Sequence, residues 1–479
     1  MRRMQRLRAW RRWILACGLL AALLPAAAQP MPEPRPGATA VSPSAQRLYE
    51  RARSQLLQVR TLLKGQDSQA SVGSGFVVGA DGLIVTNYHV ISQVALQPER
   101  YRLVYTRVDG REGELQLLGF DAVHDLALVR ALPPGNAPRA GSAPLPPGEP
   151  LALRPAAEPL TPGERIYSLG NPLDVGFAVM EGNYNGLVER SFYPSIFFGG
   201  ALSSGMSGGP ALDEQGRVIG VNVATRRDGQ QVSFLVPASF AQVLLERSRG
   251  APPITAPVYP ALTAQLLAHQ NAVTERFLAE PWRSAGHPHY RIPVPQENFM
   301  RCWGRSTPAD AKGLEFERSD CEMDTRVFVS AALATGALGV RHEAYDGREL
   351  GWLRFTQRHS ASFANESFGR GNRREFTAPR CHERFVEQAG LPVRTVLCLS
   401  AYKRLPGLYD LSVLVATVDQ DRIGAQGRLD AHGVSFDNAM RLAEHYRYPM
   451  AYPRAFDDTL RELQALGLLH PLDSARLDE

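Results

Sequence analysis

Gly205-Met206-Ser207-Gly208-Gly209-Pro210 sets a serine among glycines, between two segments that read as β-strands. Glycine lets the backbone take conformations that a side chain forbids, so two amide N–H groups can converge beside the serine oxygen. Upstream, Thr86-Asn87-Tyr88-His89 supplies a histidine and His124-Asp125-Leu126-Ala127-Leu128 an aspartate. Each has a plain explanation alone: a glycine-flanked serine is a turn, His89 a satisfied core histidine, and Asp125 a turn cap before the strand Leu126 to Val129. Together, in the order His, Asp, Ser, they make a nucleophile, a base and an orienting acid.

The segment Ser71-Val72-Gly73-Ser74-Gly75-Phe76-Val77-Val78, followed by Leu83-Ile84-Val85-Thr86, reads as a hairpin closed by Ala80-Asp81-Gly82. It delivers His89 at the end of its second strand. On these residues, from about Ser71 to Pro237, the chain resembles the trypsin-like serine peptidases, most closely the HtrA/Deg branch. The resemblance implies a mainly β, double six-stranded β-barrel domain of the chymotrypsin-like kind. It also implies a serine endopeptidase that hydrolyses peptide bonds through an acyl-enzyme. His89 would be general base, Asp125 its orienting partner and Ser207 the nucleophile, with the amides of Gly205 and Ser207 as oxyanion hole. Asp121 competes with Asp125, but Asp-Leu-Ala-Leu matches the family motif, whereas Asp121 lies in the preceding turn.

Further details follow from the same resemblance. Met206 stands where the digestive and clotting branch has an aspartate that captures a new N-terminus, so activation by N-terminal cleavage is not expected. Tyr167 to Pro172 is similar to the strand and turn that open the second barrel, and Val218 to Asn222 to the strand after the nucleophile loop. Ser233, Phe234 and Leu235 resemble the strand against which substrate backbone pairs. Ala201, six residues before Ser207, replaces the acid of trypsin, so small or medium apolar residues are expected before the cut.

Residues 1–28 read as a signal peptide: six arginines, an apolar run from Trp13 to Leu24, then Pro25 and Ala26-Ala27-Ala28. The full chain carries +5, and the mature chain −1 once those six arginines are removed. The basic balance therefore gives no reason to expect nucleic acid as a partner. No membrane span is expected in the mature chain, which is placed in the periplasm or outside the cell. Four cysteines remain after Cys17 is lost with the signal: Cys302, Cys321, Cys381 and Cys398. Disulfides between sequence neighbours are the simplest reading in an oxidising compartment. Zinc is the rival, but neither pair has close Cys-x-x-Cys spacing.

Length and punctuation divide the rest. A Pro-rich leader is expected at 29–44, the protease domain at 45–250, a linker at 251–261 and a C-terminal α+β domain of no recognised family at 262–479. Within the last, helices are expected at Leu262–Leu278, Phe436–Tyr446 (with Ser435 as N-cap) and Asp457–Leu466. Strands are expected at Arg326–Ser330, Gly351–Phe355, Thr395–Tyr402 and Tyr409–Val418. The histidines, including His287 and His289, lack the partners of a metal site, and the mechanism needs no metal or cofactor. Polypeptide substrates are the expected partners. The alternative function is a protease-fold binding protein with a latent or gated site, whose C-terminal domain holds a protein or envelope partner.

Overall fold

The computed structural model describes residues 41–133, 144–145, 148–225, 233–286, 291–296, 298–308, 313–365, 372–388, 391–417 and 422–447. The expected signal peptide, most of the leader, His287, His289 and the helix expected at Asp457–Leu466 lie outside these residues. All of the described residues fall in one compact unit that starts at Val41.

Helix α1 (Pro43–Ala52), capped by Ser42 Oγ on the Ala45 amide (3.1 Å), leads into the first barrel. Its strands are β1 (Leu56–Leu63), β2 (Gln69–Gly79), β3 (Leu83–Thr86), β4 (Tyr101–Arg107), β5 (Glu112–Asp121) and β6 (Leu126–Ala131), with helix α2 (Tyr88–Leu96) after β3. They close in the order β1-β2-β3-β6-β5-β4. The second barrel comprises β7 (Arg165–Gly170), β8 (Ala178–Leu187), β9 (Ile196–Phe198), β10 (Pro210–Leu212), β11 (Val218–Thr225) and β12 (Ser233–Pro237). It closes as β10-β11-β12-β9-β8-β7, and helix α3 (Ala238–Ser248) follows.

Successive residues of a strand face opposite sides, so a strand covered on both sides reads as a continuous apolar run. In β3 and β6, Ile84, Ala127 and Val129 join a cluster with α2. Their neighbours Leu83, Val85, Leu126 and Leu128 join another, which α1, α3 and second-barrel residues such as Tyr167, Leu169 and Val221 share. That second cluster ties the two barrels together.

The segment expected as a linker is docked rather than free. Ile254 N donates to Leu117 O (2.8 Å) and Val258 N to Ala95 O (3.0 Å). Helix α4 (Tyr259–Ala279) then lays Leu262 and Leu266 into the first barrel's cluster and Val273 and Phe277 into the C-terminal core. Beyond it come a small hairpin of β13 (Arg283–Gly286) and β14 (Arg291–Val294), then β15 (Met300–Ser306), β16 (Glu315–Met323), β17 (Val327–Ser330), β18 (Leu333–Thr335) and β19 (Leu338–Asp346). Helix α5 (Trp352–Asn365), β20 (Arg380–Gln388), β21 (Leu391–Ala401), β22 (Tyr409–Thr417), β23 (Ile423–Val434) and α6 (Phe436–Arg447) complete the described chain.

Seven of these strands form one antiparallel sheet, β15-β16-β19-β23-β22-β21-β20, while among the described residues β17 and β18 pair only with each other. Disulfides join Cys302 to Cys321 and Cys381 to Cys398. Each pair lies directly opposite in its ladder, so one bond staples each edge strand to its neighbour. The Ser435 hydroxyl caps α6 by accepting from the Asn438 amide (3.2 Å). The strand expected at Gly351–Phe355 is instead the start of α5. Phe355, His359 and Phe363 are buried at helical spacing, and that period prevails over the short apolar run.

Candidate functional site

The site is built where the barrels meet. β3 ends at Thr86, and α2 starts two residues later, placing His89 in its first turn. Asp125 ends the turn between β5 and β6 with φ +55°, a left-handed conformation that aspartate tolerates better than most side chains. Its main-chain carbonyl accepts from Asn87 Nδ2 (2.7 Å) and from the Tyr88 amide (3.2 Å). One carboxylate oxygen accepts from the His89 amide (2.8 Å), and the other meets His89 Nδ1 at 2.6 Å. An ionised carboxylate only accepts, so Nδ1 carries the proton and the neutral ring leaves Nε2 with its lone pair. Burial disfavours the charged imidazolium, but the charge and hydrogen bond of Asp125 outweigh it and raise the His89 pKa above the ordinary histidine value.

Asp121 has another partner. Its carboxylate accepts from the His124 amide (3.0 Å) and meets His124 Nδ1 at 2.8 Å. Burial works against its ionised form, but His124 and Arg247 hold its pKa below the usual carboxylate value. The His124 ring in turn stacks on Phe240, with centroids 3.7 Å apart. The two Asp–His pairs are thus separate.

Ser207 lies in the loop before β10, pressed against the first barrel. Its carbonyl accepts from the Ser74 amide (2.7 Å). Gly208, at φ +86°, could not carry a Cβ, which would stand 2.2 Å from Ser74 O. The Ser207 hydroxyl donates to Val223 O (3.0 Å), and no hydrogen bond joins it to His89 among the described residues. Met206 is fully buried with Ile166, Leu202, Ala211, Ile219 and Leu235, so an apolar side chain anchors the loop in the second barrel.

Gly205 adopts φ +93°, with Asn171 O only 2.4 Å from where a Cβ would be. The Ser204 carbonyl accepts from the Leu173 amide (2.7 Å). Because a trans peptide points its C=O and N–H in opposite directions, the Gly205 N–H faces away from that contact. Among the described residues neither the Gly205 nor the Ser207 amide enters a hydrogen bond. Two donors therefore stand uncommitted on either side of Met206.

Two supporting residues escaped the sequence reading. Ser74 Oγ donates to Gly205 O (2.7 Å) and accepts from the Asn171 amide (2.9 Å), joining the β2 strand, the serine loop and the loop after β7. Its signal was a serine between Gly73 and Gly75 inside an apolar strand, since strand glycines mark close backbone approach. Buried Asn222 donates from Nδ2 to Leu169 O (3.0 Å) and Met206 O (3.2 Å), while its Oδ1 accepts from Ser168 Oγ (2.8 Å).

The expected substrate strand needs correction. Ser233, Phe234 and Leu235 pair with β9 at Phe198, Phe197 and Ile196, and on their other edge with β11 at Thr225, Ala224 and Asn222. Both edges of β12 are taken there, so substrate backbone has none to join. β11 runs past its last β10 partner, Val221, and its Val223 carbonyl accepts from the Ser207 hydroxyl. Ala201 is exposed, whereas Ser233 is fully buried and its hydroxyl accepts from the Leu202 amide (3.1 Å).

Comparison with known proteins bears on this region. Residues 73–221 match the family model of the trypsin-like peptidase domain. The chain's relatives are of the HtrA/Deg branch. The serine protease HTRA1 of Xenopus tropicalis is 30% identical over 188 residues, 37% of this chain and 36% of that protein. A "probable periplasmic serine endoprotease DegP-like" of Brucella suis is 30% identical over 190 residues, 38% of this chain and 34% of that protein. The chain thus matches little more than a third of either relative's length. Among solved structures, a serine endoprotease from Yersinia pestis aligns with 21% identity and a TM-score of 0.35, covering 43% of this chain and 67% of that one.

Proposed function

We propose that the protein is an exported serine endopeptidase acting in the periplasm or outside the cell, with His89, Asp125 and Ser207 as its triad. The observation that carries this reading is the two-point bond of Asp125 to His89, beside a serine flanked by two uncommitted amides. Catalysis begins when the Ser207 hydroxyl turns from Val223 O toward His89 Nε2, a contact that is often long or absent before substrate binds. Nε2 takes the hydroxyl proton as Oγ attacks the peptide carbonyl. Asp125 stabilises the imidazolium that forms without taking its proton. The Gly205 and Ser207 amides receive the developing oxyanion, where one lost donor costs on the order of 100- to 1000-fold in rate. The imidazolium then protonates the departing amine, leaving the acyl-enzyme for water to hydrolyse.

Substrate backbone adds beside the end of β11 near Val223, a strand addition that recognises main chain rather than one sequence. No carboxylate stands at Ala201, so cleavage after Arg or Lys is not favoured. The test is digestion of unfolded casein by mature protein beside its Ser207→Ala variant, with fluorophosphonate labelling of both. Serine-dependent fragments and label are expected. Equal cleavage by the two proteins, or an unlabelled wild type that leaves casein whole, rejects the reading.

A further inference from the structure

The β17–β18 hairpin belongs to neither barrel nor the seven-stranded sheet, yet it reaches the candidate base. Fully buried Tyr88, next to His89, donates its hydroxyl to Val329 O (3.2 Å). The Phe328 ring packs edge-on against Tyr88 at 6.4 Å between centroids, and against the His89 imidazole at 6.1 Å. Val327, Val329 and Leu333 are buried in the same cluster as Tyr88, Val90 and Ile91. Phe328 itself is only half-buried, and the His89 side chain keeps 29% of its surface exposed. A half-buried apolar ring therefore stands against the partly exposed histidine.

The base of the hairpin, one register position from Phe328, is pinned to the C-terminal region. Thr335 Oγ1 and Tyr402 Oη lie 2.5 Å apart, and Tyr402 donates to Asp410 (2.5 Å) in β22. Gly336 N donates to His432 O (3.1 Å), and Gly336 O accepts from His269 Nε2 (2.8 Å) on α4. With three such anchors, the hairpin is a fixed arm rather than a loose flap.

We propose that Phe328 is a specificity-determining wall of the substrate cleft, supplied to the peptidase domain by the C-terminal region. The proposal rests on the peptidase reading above. A substrate side chain lying over His89 must run along the Phe328 ring, so the adjoining subsite selects apolar side chains and rejects charged ones. Apolar contact of this kind discriminates by roughly 10- to 200-fold.

The test separates the wall from the chemistry by using the full mature chain in a Ser207→Ala background. Fluorescent casein-derived peptides, matched except for an apolar or an acidic residue at each position in turn, are titrated by polarisation. One position is expected to prefer the apolar peptide by about tenfold, and Phe328→Ala to abolish that preference. Phe328→Leu, which keeps an apolar side chain in the hairpin, is expected to retain part of it. In active protein, Phe328→Ala should raise KM for the apolar substrate about tenfold, with kcat and fluorophosphonate labelling within about threefold. Peptide preference unchanged by Phe328→Ala overturns the wall. Preference lost on substitution in a protein without turnover upholds the wall and rejects the peptidase reading.

Discussion

Replacing Ser74 by alanine removes one hydroxyl from the seam between the barrels and tests whether the first barrel positions the proposed oxyanion donors. Ser74 is 1% exposed and Asn171 7% exposed. The lost oxygen accepted from the Asn171 amide and donated to the Gly205 carbonyl. Gly205 is half-buried and water can replace its partner, so the penalty falls mainly on the Asn171 amide. An unsatisfied buried donor costs about 1–3 kcal/mol. If that cost falls on the loop geometry needed for reaction, it corresponds to about a 5- to 150-fold loss of rate. If it falls on the fold, Tm drops by roughly 2–4 °C per kcal/mol for a domain of this size. The assay is kcat and KM on a quenched peptide, well below the unfolding transition, with calorimetry on the same preparations. Ser74→Ala is expected to lower kcat at least fivefold with KM within twofold, and Ser74→Cys, a weaker donor, to lie between. A lowered Tm with unchanged kcat would refute the positioning role.

The remaining expectations concern charge and covalent structure. The proposed mechanism needs neutral His89, whose pKa is raised, so the acid limb of kcat/KM should lie above pH 6.5. Asp125→Asn should move that limb to lower pH and cut kcat by on the order of 10⁴-fold; an unmoved limb would assign it to another group. The same raised pKa gives folding a contribution that is present below pH 6.5 and lost as pH rises through the folded value. His342 is opposite in sign: burial depresses its pKa to about 3. Between pH 6.5 and 3 the unfolded chain binds the extra proton, so stability should fall by about 1.4 kcal/mol per pH unit on acidification. His342→Leu should flatten this dependence in pH-resolved thermal unfolding, and an unchanged slope would reject it. Replacing Cys302 and Cys321 together by serine opens a bridge spanning 19 residues. It should cost about 3 kcal/mol in denaturant unfolding, and an unshifted midpoint would count against that cross-link.

How much of this was legible in the sequence follows from the range of each interaction. His89, Asp125 and Ser207 could be read because local elements hold each one: a strand end, a tight turn and a glycine-rich loop with short flanking motifs. The hairpin β2–β3 was legible because two-residue alternation and a turn signal are local. Helix α5 was misread because a five-residue apolar window cannot separate periods of 2 and 3.6, and only Phe355, His359 and Phe363 together decide it. Ser74 was visible as a residue but not as a partner, since its bond to Gly205 spans 131 positions. Phe328 is the extreme case. It lies 239 residues from His89, in a region without a recognised family, and nothing around it marks it as more than a strand residue. A motif scan of the peptidase region alone would end before it. The fold brings it to the histidine through the buried hydroxyl of Tyr88, a residue whose own place beside His89 had seemed only a flank of the motif. The residues proposed for the chemistry are therefore encoded in short motifs, whereas the proposed wall depends on how the C-terminal region docks.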